Sequence, residues 1–390
     1  LARRQHPLLS AAGGRRQVAT GSARQEGAFL NPLFEWRKEN YGSPLPRDEF
    51  LSATLPVDVY GRRVALRSAS GLAAARALSD SSTTARSIEF EVARAYWRTA
   101  LAAALRQAAA DQRARLDTIA GIEAERASQG AVSAGAALRA RLEVDRARLS
   151  DAAARAELER ARADLARALA VPFDSVPAPT DQVRVDAAAA IPPLAELLTL
   201  ARARRSELLS ARSRVQEMTK RQFAERLGSL PALGVQVGSK RTSGFQTGTM
   251  QVGVSLPLFD RNTGNRERAH GDVLIATGEL RAAETAVDAE VTGAFRTYGT
   301  LLTEYTNAVG VDRTGMYDID VRGTAVATIA VTAYREGAIP LFELLDAQRL
   351  RAEIRIAALH AAADVLMARL DLLRAVGLPI DSALFPSPPQ

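Results

Sequence analysis

The side chains able to do chemistry are few and scattered. Histidine occurs three times, at His6, His270 and His360, all on helical stretches, and no two fall at the spacing with which one helix presents a pair of imidazoles to a metal. Cysteine is absent, which removes disulfides, thiolate metal sites and thiol nucleophiles. No nucleophile motif, phosphate-binding loop or paired catalytic carboxylate stands out. The chain therefore reads as a non-enzyme with no cofactor and no metal site.

The elements that must position these residues are mostly helical. Of 390 residues 76 are alanine and only 5% are aromatic, a composition that suits long helices better than a compact aromatic core. The net charge is +7, yet the arginines are interleaved with Asp and Glu along every helical stretch, which argues against a nucleic-acid partner. No stretch is long enough and free enough of charge to span a membrane as a helix.

The sequence repeats itself. Slid by about 200 positions, Leu8-Leu9-Ser10-Ala11 falls on Leu208-Leu209-Ser210-Ala211, and Leu55-Pro56 falls on Leu256-Pro257. Gly130-Ala131-Val132 falls on Gly337-Ala338-Ile339, and the same gapless run reaches from Leu138 and Leu345 to Pro172 and Pro379. Two structural repeats are therefore expected, 1–193 and 194–390. The first has a leading helix to about 28, a strand pair at 32–59, a long helix at 62–128, a return helix at 132–170 and a Pro-rich segment at 171–193. The second has a leading helix at 194–228, a strand pair at 231–259, a long helix at 266–336, a return helix at 340–376 and an irregular tail. By comparison with the second repeat, the first residue falls inside the first leading helix, so an upstream segment is expected.

In Leu233-Gly234-Val235-Gln236-Val237 and again in Met250-Gln251-Val252-Gly253-Val254, apolar side chains take every second position. Phe34 and Trp36, then Leu51, Ala53 and Leu55, do so in the first repeat. Strands with one apolar and one polar face are what the wall of a transmembrane barrel requires. A half-buried hairpin in a soluble domain has the same pattern. Four strands do not close a barrel, so the membrane reading forces oligomerisation. Helices of roughly 60 to 70 residues, on the order of 100 Å, exceed any globular core and favour side-by-side packing. Glycines at 271, 278, 293, 299, 310, 315 and 323 suggest close backbone approach or a bend in the second long helix.

Particular strings then carry a resemblance. SLPLFDRNTGNRERA at 255–269, TLPVDVYGRRVALRSA at 54–69, HPLLSAA at 6–12, NPLFEWRKENYG at 31–42 and YREGAIPLFELLDAQRLRAE at 334–353 resemble the TolC-like outer-membrane efflux factor family. Within it they are most similar to the cobalt-zinc-cadmium resistance (CzcC-like) branch. The resemblance implies a mainly α protein with a small β part, a homotrimer whose protomers each give four strands to an outer-membrane barrel and their helices to a periplasmic tunnel. It implies passive export of heavy-metal cations received from an inner-membrane RND pump and a periplasmic adaptor, with outer-membrane lipid around the barrel. Pro56 and Pro257 then mark the bends between barrel and tunnel. Glu343 and Asp346 match the acidic ring at the tunnel's narrow end, the alternative being solvent-facing charges paired with Arg349 or Arg351. The turns at Gly130, Ala131, Gly337 and Ala338 match the adaptor contact. Of the polar latch that closes some members, the tyrosine position matches Tyr334, but the arginine position is Ile339 and the aspartate position is Ala136, so that latch is not expected. A periplasmic adaptor and a coiled-coil rod without a pore are the other readings; the strand pairs in both repeats disfavour them.

Overall fold

The computed structural model describes residues 6–40, 42, 44, 47–185, 191–308 and 318–382. It divides into two compact units, one of 1–9, 84–205 and 287–390, the other of 10–83 and 206–286. Each unit draws on both halves of the sequence, so the compact bodies cut across the division at 193/194.

The second unit contains a leading helix, α1 (Pro7–Glu26), from Ser10 onward, and the strands β1 (Leu33–Glu39) and β2 (Asp48–Val57). The 67-residue α2 (Arg62–Ser128) begins here, rich in the alanine, leucine and arginine that favour helix. The leading segment of the second half is not one helix: α4 (Leu194–Arg204) and α5 (Ser206–Leu227) are separated at Arg205, whose ψ of 117° is extended. The guanidinium of Arg205 donates to the carbonyls of Arg374 and Ala375 at 3.2 and 3.0 Å, which holds the break in the first unit. After α5 come β3 (Ala232–Thr242) and β4 (Phe245–Ser255), joined by Ser243 and Gly244, both at positive φ as a two-residue hairpin turn requires. The four strands form one antiparallel sheet in the order β1-β2-β3-β4.

In the first unit α2 ends at Ser128 and turns into α3 (Ala134–Leu169). The long helix expected at 266–336 is described as α6 (Thr263–Ala308) and α7 (Asp318–Arg335); Gly310 and Gly315 lie outside the described residues. Gly271, Gly278, Gly293 and Gly299 face open space within this chain, so they are not sites of close backbone approach in it, while Gly323 packs on Ile354 at ordinary contact distance. The last helix, α8 (Leu341–Val376), is largely buried towards its end, where Leu366, Leu370, Leu373 and Val376 sit among buried alanines and a stripe with His360, Asp364 and Arg374 stays exposed. Leu116, Val144, Ala147 and Leu345 join α2, α3 and α8 in one apolar cluster. Among its described residues, the Pro-rich segment has one turn at Phe173–Ser175 and runs irregularly to 185; buried Val176 and Val183, and a hydrogen bond from the Tyr96 hydroxyl to Asp181, anchor it. Among the described residues no helix is long and apolar enough to cross a membrane.

Candidate functional site

Both helical hairpins turn in the same way. Gly130 and Gly337 adopt φ of +71° and +77°, a region that costs a β-carbon. Around them the amide of Ala131 donates to Arg126 and that of Ala338 to Ala333, each at 2.8 Å, closing the helix ends in the same two-bond motif. Gly130, Ala131, Gly337 and Ala338 are all exposed. The return helices begin differently: the Ser133 hydroxyl caps α3 by accepting from the Ala136 amide at 3.2 Å, whereas Pro340 starts α8.

One turn before these ends lies a polar cluster that links α2 to α7. Glu123 is fully buried although it is ionisable, and the Tyr334 hydroxyl donates to its Oε1 at 2.5 Å. Arg126 donates to the same hydroxyl at 2.9 Å and stands 3.4 Å from Glu123. Glu123 Oε2 has no partner among the described residues. Burial, and then the hydrogen bond to Glu123, push the Tyr334 pKa up to about 12. A buried carboxylate held by a tyrosine and an arginine is a high-stakes contact, because loss of either donor strands a charge. Tyr334 was the one expected latch position with a polar side chain, and its partners are Glu123 and Arg126. Ile339 and Ala136, both half-buried, take no part in this cluster. The spacing Glu123-x-x-Arg126 resembles many helix-surface pairs in this chain, and only the packing against Tyr334 distinguishes it.

Glu343 and Asp346 are exposed in the first turns of α8 and form no salt bridge among the described residues. Arg349 instead binds Glu143 of α3 at 2.9 Å, and Arg351 makes no ion pair with either acid. Their carboxylates therefore remain uncompensated by the arginines nearest in sequence.

The sheet has two unlike faces, which its register makes explicit. Phe34, Ala53, Val237 and Met250 lie in one row across the four strands; Trp36 and Leu51 share the row on one side, and Leu55, Val235 and Val252 a row on the other. Glu35, Ser52, Gly238 and Thr249, and likewise Thr54, Gln236 and Gln251, alternate with these rows on the opposite face. The apolar face is open: Trp36 is 66% and Met250 74% exposed. Its rows end at Lys38, Glu49, Arg241 and Gln246, a charged rim in which Lys38 binds Glu49 at 2.7 Å. Gly238 is required by the ladder, since a β-carbon there would lie 2.5 Å from the Leu51 carbonyl oxygen.

Pro56 is the penultimate residue of β2 and pairs with Gly234; Pro257 follows the end of β4. Beyond them Gly61 and Asn262 both adopt positive φ, and the Asp58 carboxylate caps α2 by accepting from the amides of Arg62 and Arg63 at 2.9 and 2.7 Å. Glu225, at the end of α5, ties the two strand-to-helix passages together: it accepts from Arg62 at 3.4 Å and from the Asn262 amide group at 2.9 Å. The histidines lie apart. His6 Nδ1 accepts from the Leu8 amide, His270 contacts Gln222, and His360 is exposed.

No family model matches the chain, and no curated protein sequence matches it. Solved structures do. The Campylobacter jejuni CmeC outer membrane channel is 16% identical with a TM-score of 0.79, covering 96% of this chain and 84% of its own. VceC, an outer membrane protein of Vibrio cholerae, is 17% identical with a TM-score of 0.78 over 97% of this chain and 95% of its own. The open state of the Neisseria gonorrhoeae MtrE outer membrane channel is 19% identical with a TM-score of 0.75 over 97% and 87%. The chain thus has the mainly α fold of the TolC-like outer-membrane channels, with long helices and a small β part.

Proposed function

We propose that the protein is the outer-membrane exit duct of a tripartite RND-type efflux system. The observation that carries this reading is the two-faced sheet with β1 and β4 as its edges, apolar on one side and polar on the other. Such a sheet needs lipid against one face, water against the other and a neighbour at each edge. Three copies pairing β4 of one with β1 of the next satisfy all three needs, giving a homotrimer built from two structural repeats per chain. The likeness to solved channels supports the same architecture.

In this duct the helical hairpins form a periplasmic tunnel, and the exposed turns at Gly130, Ala131, Gly337 and Ala338 meet the adaptor that relays cargo from the inner-membrane pump. Glu343 and Asp346, without a salt bridge among the described residues, supply a ring of carboxylates in the trimer that attracts cations. Heavy-metal cations are the cargo that the strings at 54–69, 255–269 and 334–353 favour. Pro56 and Pro257 mark the passage from barrel to tunnel.

Single-channel conductance in planar bilayers tests the reading. Trimeric protein is expected to give stable, cation-preferring pores, with that preference reduced by Glu343→Ala/Asp346→Ala. Unchanged selectivity removes the acidic ring. A folded protein that conducts neither as wild type nor after Tyr334→Phe contradicts the duct.

A further inference from the structure

The first unit contains a cavity of about 650 Å³, lined by α2, α3, α7, α8 and residues 179–184. That volume suits a small organic molecule. Its charged groups are unevenly satisfied. Arg355 is bound to Asp320, the Asp181 carboxylate accepts from the Tyr96 hydroxyl, and Asp111 accepts from the Gln107 amide at 2.8 Å. The lining acids are therefore engaged. Arg115 and Arg351 are not: among the described residues neither makes a hydrogen bond or a salt bridge, and Arg115 Nε is closed off from solvent with nothing to donate to.

Two half-buried guanidiniums that repel each other and have no hydrogen-bond acceptor are costly, and the nearby charges of Asp320 and Asp111 do not outweigh that cost at Arg351. Burial, and then the charge of Arg115, hold the pKa of Arg351 below the ordinary guanidinium value. An oxyanion removes both penalties, because a guanidinium presents paired N–H donors that match carboxylate and phosphate oxygens. Beside the arginines the wall is apolar, with Ala104, Ala352 and Ile356.

We infer that this cavity binds a small organic anion, its carboxylate or phosphate group held by Arg115 and Arg351 and its apolar body against Ala104, Ala352 and Ile356. The site is lined by residues of the first unit alone, and it does not depend on the duct reading. The anion is a bound ligand of that helical unit.

Isothermal titration of the detergent-solubilised full chain with benzoate and with phenyl phosphate tests this. One saturable site per chain is expected for at least one of the two probes, and the preferred probe identifies the head group. Arg115→Gln and Arg351→Gln are each expected to weaken binding roughly tenfold or more, and Arg351→Lys to weaken it less. Circular dichroism and size exclusion establish that each variant is folded. No saturable binding of either probe to folded wild type overturns the inference, as does binding that both glutamine variants leave unchanged. Glutamine variants that bind no less but assemble less well overturn it in favour of an acidic side chain from a neighbouring copy.

Discussion

The hydroxyl of Tyr334 on α7 donates to the buried carboxylate of Glu123 on α2 at 2.5 Å, and Arg126 completes the cluster from the same helix as Glu123. This joins the ends of the two helical hairpins within one chain. It uses the tyrosine position of the latch that the family resemblance describes, with Glu123 and Arg126 as its partners.

Tyr334→Phe removes the donor and leaves Glu123 with Arg126 alone at 3.4 Å. A loss of about 1–3 kcal/mol is expected, from the cost of stranding a buried acceptor. Denaturant unfolding measures it, and hydrogen exchange should localise the loosening to the ends of α2 and α7.

The same contact sets a pH dependence. The Tyr334 pKa is raised from 10.0 to about 12 in the folded protein. A raised pKa stabilises the fold fully below the unfolded value, and that contribution fades as pH rises from 10 through 12. Ultraviolet difference titration of wild type against Tyr334→Phe should show one phenol ionising near the upper value; ionisation near 10 would deny the contact.

Ala170 ends α3 at φ +55°, where Gly377 ends α8 at φ +77°. The left-handed region costs an alanine roughly 1–2 kcal/mol. Ala170→Gly is therefore expected to stabilise the protein by about 1 kcal/mol, after the extra chain entropy of glycine is subtracted. Thermal unfolding should show the gain, and Gly377→Ala should show a loss.

The two faces of the sheet predict opposite tolerance of charge. Met250→Arg, on the apolar face, is expected to cost about 2–4 kcal/mol at mid-bilayer depth, while Thr249→Arg on the polar face costs little. Folding into lipid vesicles, followed by urea titration, compares them.

Much of this architecture is legible in the sequence, and particular residues explain the limits. Helix α2 was readable to both ends because Gly61 and Gly130 bracket a proline-free run dominated by helix formers, long enough to carry Gly71 and Gly121 within it. The strands were readable because Phe34, Trp36, Leu51 and Leu55 alternate with polar residues. The break at Arg205 was hidden, since no glycine or proline marks it; its cause is a guanidinium that reaches the end of α8, far away in sequence. Glu123 was hidden for a related reason. In a chain rich in Glu–Arg pairs nothing local separates a buried carboxylate from a solvated one, and the deciding partner is 211 positions away. The unsatisfied arginines are likewise a property of packing, because Arg115 and Arg351 come from different helices. Glu225 and Asn262 belong with them: their bond joins two passages that the repeat reveals only as similar.

In the proposed assembly β4 of one copy pairs with β1 of the next and the ring closes at three. The chain has no cysteine, so engineered pairs report without background. Pairs placed at Glu35 or Arg37 on β1 and at Thr247, Thr249 or Gln251 on β4, all on the polar face, should crosslink in isolated outer membranes upon oxidation. Denaturing electrophoresis is then expected to show covalent species that stop at the trimer. Chains that stay monomeric with every pair, or a ladder that continues past three, would contradict the account.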